Sequence, residues 1–384
     1  MNVMSHSDLP AKRRLLIVFG TRPEALKCFP VARAALDHSG FLTRICVTGQ
    51  HRELLDQVIQ LTSLPVHYDL NIMQPGQTLF DVTARVLTGM AEVLDEFKPD
   101  IVMVQGDTTT AMAAALAAFY KRISVAHVEA GLRSHNINSP FPEELNRKVA
   151  ANIATWHFAP TALARDNLVA EGTDPANIFV TGNTVIDTLL HFSATIDADA
   201  MMNAELSSRF PYLDPSKKMI LVTGHRRENF DGGIDRICHA LRVLAARGDV
   251  QIIFPVHPNP NVRGVVDAEL GNVPNIHLIT PQEYLPFVYL MKQSYLVLTD
   301  SGGVQEEVPS LGKPVLVMRD NTERPEGVAA GTARLVGTDI DKILSNANAL
   351  LDDQLAYRGM AGRHNPYGDG RASTRIIEEL LRHD

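Results

Sequence analysis

Cysteine is scarce. The 384 residues hold three, Cys28, Cys46 and Cys238, far apart and odd in number. Nothing in their spacing suits a disulfide framework or a metal site, and they fit a reducing compartment. Positive charge is also short. Lys and Arg total 36 against 44 Asp and Glu, a formal net charge of −8. That balance argues against nucleic acid as the main partner, while leaving room for a local basic pocket around a small anion. Long apolar runs are missing as well. The stretch around Ala111–Tyr120 is too short to span a bilayer. The run Leu15–Phe19 is too short for a signal-peptide core. A soluble, cytoplasmic protein with no membrane partner is expected.

What is present is an alternation. Short apolar runs at Leu15–Phe19, Leu42–Thr48, Ile101–Val104, Ser124–Val128, Trp156–Ala159 and Ile178–Thr181 are separated by helical patterns such as Thr109–Tyr120 and Pro142–Ala154. This is βαβ grammar and predicts parallel sheets covered on both faces. The polar segment His191–Lys218 interrupts it and reads as a domain connection. The alternation restarts at Met219–Val222, Val250–Pro255, Ile276–Ile279, Tyr295–Thr299, Pro314–Met318 and Ala333–Val336. The expected fold is α/β, with two doubly wound Rossmann-like domains and a cleft between them. The first domain is placed at residues 1–190 and the second at 191–366. A terminal helix at 367–384 follows the turn-rich Asn365-Pro366-Tyr367-Gly368 and could pack back on the first domain.

Open parallel sheets bind ligands beyond the carboxyl ends of their strands. That rule selects Gly20-Thr21-Arg22, Gln50-His51-Arg52, Gly106-Asp107-Thr108, Glu129–Ser134, Gly224–Asn229 and Ser301–Glu307. The last is the most informative. Two glycines after a buried run let backbone approach a ligand, a helix start offers N–H groups to an anion, and an acid nearby could accept from ribose hydroxyls. A tight strand–helix turn explains the same residues. Arg22 and Lys27 could meet phosphate or lie solvated on a helix. Asp107 could be a helix cap, and Glu143 with Glu144 could be an ordinary acidic first turn. Glu129, at a strand end beside a glycine, is harder to explain by packing. His127 reads as core, and His257 receives no chemistry. His225, followed by Arg226 and Arg227, suits an anionic leaving group. No G-x-G-x-x-G follows the first run and no Tyr-x-x-x-Lys occurs, so a nicotinamide-dependent short-chain enzyme lacks its signatures. No cofactor and no metal are expected.

Taken together, these motifs closely resemble the non-hydrolysing UDP-N-acetylglucosamine 2-epimerases of bacteria. The resemblance rests on Gly20-Thr21-Arg22-Pro23-Glu24, Gln50-His51-Arg52-Glu53, Gly106–Thr110, His127–Arg133, Pro142-Glu143-Glu144, Thr181-Gly182-Asn183-Thr184, Gly224–Glu228, Ser301–Glu307 and Thr322–Glu326. It runs from Leu15 to Ile376. It implies the two-domain architecture of B-type glycosyltransferases and reversible conversion of UDP-GlcNAc to UDP-ManNAc for cell-envelope polysaccharides. It implies a homodimer, UDP-GlcNAc as an allosteric activator, and no nicotinamide or essential metal. By motif, Asp107, Glu129 and Glu143 become the acid–base candidates and His225 the group beside the diphosphate. Ser301, Gly302, Gly303 and Glu307 become UDP contacts, with Arg22, Lys27, Phe287 and Arg324 as further substrate contacts. Gln50, His51 and Gln77 resemble an activator site. The alternatives are a retaining glycosyltransferase of the same fold, a UDP-sugar sensor, and an epimerase for a modified UDP-GlcNAc. The first two would not need three acids.

The implied chemistry is constrained by the substrate. The hydrogen on sugar C2 is not adjacent to a carbonyl, so simple enolisation cannot invert that carbon. Breaking the anomeric C–O bond first, with loss of UDP and of the C2 proton, gives 2-acetamidoglucal. Protonation on the opposite face and return of UDP complete the inversion. Two faces call for at least two proton-handling groups.

Overall fold

The computed structural model describes residues 12–382 apart from 225, 227 and 228. The chain divides into two compact units. One comprises residues up to Thr188 together with those from Gly368 onward, and the other is Leu189–Tyr367.

In the first unit, β1 (Arg13–Phe19), α1 (Arg22–Asp37), β2 (Phe41–Val47), α2 (Arg52–Thr62), β3 (Tyr68–Asp69), α3 (Leu79–Phe97) and β4 (Ile101–Gln105) come first. Then follow α4 (Thr109–Tyr120), β5 (Ser124–Val128), α5 (Glu143–Ile153), β6 (Trp156–Ala159), α6 (Ala162–Ala170), β7 (Ile178–Val180) and the start of α7 (Thr184–Ala198), whose residues from Leu189 onward belong to the second unit. Among the described residues the sheet has seven strands in the order β3-β2-β1-β4-β5-β6-β7, all parallel. Leu15–Phe19 and Ile101–Val104 are buried along their whole length, as strands covered on both faces must be. The alanines of α4 pack on α3 in one apolar cluster.

The second unit runs α8 (Ala200–Ser208), β8 (Lys218–Thr223), α9 (Gly233–Ala245), β9 (Val250–Pro255), α10 (Pro260–Leu270), β10 (Ile276–Ile279) and α11 (Tyr284–Gln293). It continues with β11 (Leu296–Thr299), α12 (Gly302–Glu307), β12 (Val315–Val317), α13 (Pro325–Ala330), β13 (Ala333–Leu335), α14 (Ile340–Asp352) and α15 (Gln354–Ala361). Its six parallel strands take the order β10-β9-β8-β11-β12-β13. In each sheet the order reverses beside the first strand, between β1 and β4 and between β8 and β11. A crevice opens beyond the strand ends at such a switch point. Gly20 and Asp107 follow β1 and β4, and Gly224 and Ser301 follow β8 and β11.

Two features were not read from the sequence. His191–Lys218 is not a plain connection, because α7 and α8 run through much of it. Phe192, Ile196, Leu206 and Phe210 are buried, a stripe too narrow to stand out among so many polar neighbours. Strand β3 was not anticipated, since two residues carry no period.

The final helix, α16 (Ala372–Arg382), packs on α1 in the first unit. Its start is held by Asp187 of α7. The carboxylate accepts from Ala372 N at 3.2 Å, Ser373 N at 2.8 Å and Ser373 Oγ at 2.6 Å. Burial raises the Asp187 carboxyl, and these donors partly counter it. Asp187→Ala removes one acceptor shared by three donors, so it should cost about 1–2 kcal/mol. Hydrogen exchange of the α16 amides should accelerate in that variant; unchanged exchange there would contradict the capping role.

Candidate active site

The first loop is built around a glycine that cannot be replaced. A Cβ on Gly20 would lie 2.1 Å from Thr48 Oγ1 and 2.4 Å from Thr110 Oγ1. Those hydroxyls are themselves 2.9 Å apart, and Thr110 donates to Gln50 Oε1 at 2.9 Å. Helix α1 then begins at Arg22 with a proline in its first turn, where a missing N–H costs nothing. Arg22 is half-buried, and among the described residues no carboxylate pairs with it. Glu24 turns inward and is 2% exposed. Its carboxylate accepts from Gly20 N at 3.0 Å and from the Thr108 hydroxyl at 2.6 Å. Burial outweighs these bonds and pushes its pKa up to about 7.

Asp107 is held from α5. Arg147 donates through Nε to Asp107 Oδ2 at 2.9 Å, and its Nη2 lies 2.7 Å from the same oxygen. Asn146 donates to the Asp107 carbonyl at 2.9 Å. Arg147 also donates to Glu144 Oε2 at 2.9 Å. Burial alone would raise the Glu144 carboxyl, but the Ser134 N–H and Arg147 prevail and hold it below the usual range. Asp107, Glu143, Thr21, Thr108, Gln50 and His51 line one pocket of about 250 Å3. Glu143 Oε2 is buried with no hydrogen-bond partner among the described residues. Two of the three candidate acids, and two of the three residues read as an activator site, therefore share a pocket. Gln77 lies outside its lining, in a turn where its side chain accepts from Gln74 N at 3.1 Å.

Glu129 is placed differently. It is 8% exposed and adopts a left-handed backbone, φ +64°. That conformation is rare and costly for a residue with a side chain. Lys27 donates to both carboxylate oxygens at 2.6 and 2.7 Å, Asn183 donates at 3.1 Å, and Gln105 donates as well. The positive charge expected to meet a substrate anion at Lys27 is thus engaged with Glu129. His127, read as core, is buried, and its Nε2 donates to the Gly106 carbonyl at 2.8 Å. Burial lowers its pKa. Its cross-strand neighbour His157 is pushed down to about 4, by burial first and by His127 second.

In the second unit, β11 ends in a cluster of hydrogen-bonded polar groups. Thr299 Oγ lies 2.6 Å from Thr223 Oγ and accepts from Ser301 N at 2.9 Å. Buried Asp300 accepts from Arg226 N at 2.8 Å and from Asn229 Nδ2 at 3.2 Å. A Cβ on Gly302 would sit 3.8 Å from the Arg324 guanidinium carbon and 3.9 Å from Arg226 Nη2. Two guanidinium groups therefore flank the start of α12. Arg324 is oriented by an ion pair with buried Glu306. Arg319 binds Glu323 at 2.6 and 3.2 Å and holds that carboxyl down at about 2. Glu307 Oε2 accepts from the Tyr284 hydroxyl at 3.2 Å. Phe287, half-buried, lies one turn beyond Tyr284 on α11. His225 lies outside the described residues. Among the described residues no group of three or more His, Cys, Asp or Glu is placed to hold a metal, and no helix is long and apolar enough to cross a membrane.

Sequence reasoning missed Arg147, Glu24 and Gln105. The Glu144–Arg147 spacing, three apart on one helix, is a signal that could have found Arg147. Glu24 was quoted only as part of a motif, and nothing local marks Gln105.

Fold and site together define a two-domain α/β protein with a Rossmann-like sheet in each domain. The sequence pattern of the family described as UDP-N-acetylglucosamine 2-epimerase matches residues 33–381. The UDP-N-acetylglucosamine 2-epimerase of Escherichia coli K12 is 56% identical over 368 residues, which cover 96% of this chain and 98% of that protein. The crystal structure of UDP-GlcNAc 2-epimerase from Neisseria meningitidis bound to UDP-GlcNAc is 48% identical, with a TM-score of 0.89 over 96% of this chain and all of that one. That of Methanocaldococcus jannaschii in complex with UDP-GlcNAc and UDP is 36% identical, with a TM-score of 0.79 over 96% of this chain and 99% of that one. The chain belongs to the UDP-N-acetylglucosamine 2-epimerase family, a family of isomerases.

The raised Glu24 carboxyl has a thermodynamic signature. Its folded pKa of about 7 lies above the unfolded value near 4.5, so the folded state binds the extra proton between them. Its contribution is complete below pH 4.5 and is lost as pH rises through 7, on the order of 3 kcal/mol in all. Glu24→Gln has no such proton. Denaturant unfolding of both proteins from pH 4.5 to 8 should show the native chain losing ground to the variant; a pH-independent difference would contradict the shift.

Proposed function

We propose that the chain interconverts UDP-GlcNAc and UDP-ManNAc by inverting C2 of the sugar, through elimination and re-addition of UDP. The observation that carries this reading is the pocket shared by Asp107 and Glu143, in which Glu143 keeps a buried oxygen without a partner among the described residues. Glu144 Oε1 is likewise buried without a partner, but Glu144 is paired with Arg147 and lies outside the pocket lining, whereas Glu143 lines the pocket with no ion pair among the described residues. Membership of the 2-epimerase family, and the UDP-GlcNAc bound to the Neisseria relative, support the substrate.

In this reading the first unit supplies acid–base groups and the second holds UDP. Ser301, Gly302 and Gly303 give backbone a close approach to the diphosphate, Arg226, Arg324 and His225 bear on its charge, Phe287 packs nearby, and Glu307 meets the ribose. In the forward direction the anomeric C1–O bond breaks and its electron pair leaves with UDP. The C2 proton passes to one carboxylate, and a C1=C2 double bond forms in 2-acetamidoglucal. A second carboxyl then delivers a proton to the other face of C2 while a UDP oxygen re-forms the bond to C1. Asp107 and Glu143 are the pair assigned to the two faces. Glu129, bound by Lys27, orients Lys27 and the loop after β5, with Arg22 stabilising charge on the departing group. Neither proton transfer calls for a hydride carrier.

A second UDP-GlcNAc acting as activator at Gln50 and His51 would share a wall with Asp107. A homodimer and a role in supplying envelope polysaccharides belong to the same reading.

In D2O, both epimers should acquire deuterium at C2, with traces of 2-acetamidoglucal and free UDP on early quenching. Complete epimerisation without C2 label, read by proton NMR and mass spectrometry, would end the elimination route. Asp107→Asn and Glu143→Gln should each lower turnover by about 10²–10⁴-fold while UDP still binds. Near-native turnover in either folded variant would remove that residue from proton transfer.

A further inference from the structure

Asp107 needs a fixed backbone if its carboxylate is to meet one sugar carbon. The residues on either side of it are both pinned by buried side chains. Gly106 presents its carbonyl to His127 at 2.8 Å, and its φ is +71°. Thr108 caps α4, accepting from Ala111 N at 3.1 Å, and its hydroxyl donates to Glu24 Oε1 at 2.6 Å. The other Glu24 oxygen takes the Gly20 N–H at 3.0 Å. One buried carboxyl therefore ties the loop after β1, which carries Arg22, to the turn after β4, which carries Asp107. These are the two strand ends flanking the switch point of the first sheet.

We propose that Glu24 is a positioning residue for the C2 inversion, acting through Thr108 on Asp107 and through Gly20 on the loop that presents Arg22. The proposal rests on the reading that Asp107 handles a proton. Glu24 is not part of the pocket lining, so its effect passes through the neighbours it holds. Loosening that tie changes where Asp107 sits at the moment of proton transfer. It leaves the UDP contacts of the second unit untouched, and Arg22 acts on charge that develops as UDP departs, so turnover suffers more than substrate binding.

The test is steady-state kinetics of epimerisation with UDP-GlcNAc on the full chain. Glu24→Ala breaks both contacts. Displacing a reacting group by a fraction of an ångström to one ångström costs up to about 10²-fold, so kcat should fall by about 10- to 100-fold with KM within about threefold. Glu24→Gln can still accept from Gly20 and can donate to the Thr108 oxygen, so it should restore kcat to within about threefold of native. A Glu24→Ala protein with native kcat, or a Glu24→Gln protein as impaired as the alanine variant, overturns the proposal. Should Glu24→Ala not fold, as judged by circular dichroism, Glu24→Asp decides it, because it shortens the bridge between Gly20 N and Thr108 Oγ1 by one methylene. A fall in kcat with KM within about threefold supports the positioning role, and native kcat in a folded Glu24→Asp protein refutes it. Asp107→Asn, measured alongside, separates the two levels. If Asp107→Asn is fully active, the functional reading fails. If it is inactive while Glu24→Ala is native in rate, the positioning proposal alone fails.

Discussion

The first unit depends on the bond between Lys27 and Glu129. A carboxylate that is almost wholly buried loses several kcal/mol of hydration. Here that loss is met by an ammonium at 2.6 and 2.7 Å and by side-chain amides from Gln105 and Asn183. The four side chains come from α1, the end of β4, the end of β5 and the turn after β7. The pair thus joins segments that are far apart in sequence and fixes the rotation of α1 about its axis. Once α1 is set, Arg22 and Glu24 point where they do. The left-handed backbone at Glu129 adds strain, and such strain persists only where the surroundings over-determine it.

A division of labour among carboxylates follows. Glu129, Glu144, Glu306 and Glu323 are each paired with a cation. Asp107 is committed to Arg147 yet faces the pocket. Glu143 and Glu144 each keep a buried oxygen without a donor among the described residues, but only Glu144 is paired with a cation. As residue types near strand ends, these acids are alike. What distinguishes them is how many donors reach each one, a property of neighbours brought in by other elements.

The same property limits what the sequence reveals. Parallel strands buried on both faces are legible because a short unbroken apolar run between helical patterns suits little else; Ser124–Val128, Trp156–Ala159, Val250–Pro255 and helix Thr109–Tyr120 match the structure to the residue. The strand-end rule then leads to Asp107, Glu129 and Ser301. The helical character of His191–Lys218 is hidden by its polar surface. The commitment of Lys27 to Glu129, 102 positions away, leaves no local trace, and neither does the tie from Glu24 to Thr108. The shared pocket of Asp107, Glu143, Gln50 and His51 forms only when β2, β4 and α5 are assembled.

The packing of α16 on α1 bears on how the chain is made. Ile376, Ile377 and Leu380 are buried within the first unit, and the Asp187 cap waits for Ala372 and Ser373. A chain emerging from the ribosome from its amino terminus has the whole seven-stranded sheet available long before these residues exist. The second unit, continuous from Leu189 to Tyr367, is complete before the first one is. During synthesis the apolar strip on α1 therefore stays uncovered while about 180 further residues are added, and domains ordinarily fold as units in the order they appear. Here the unit begun first is the one finished last.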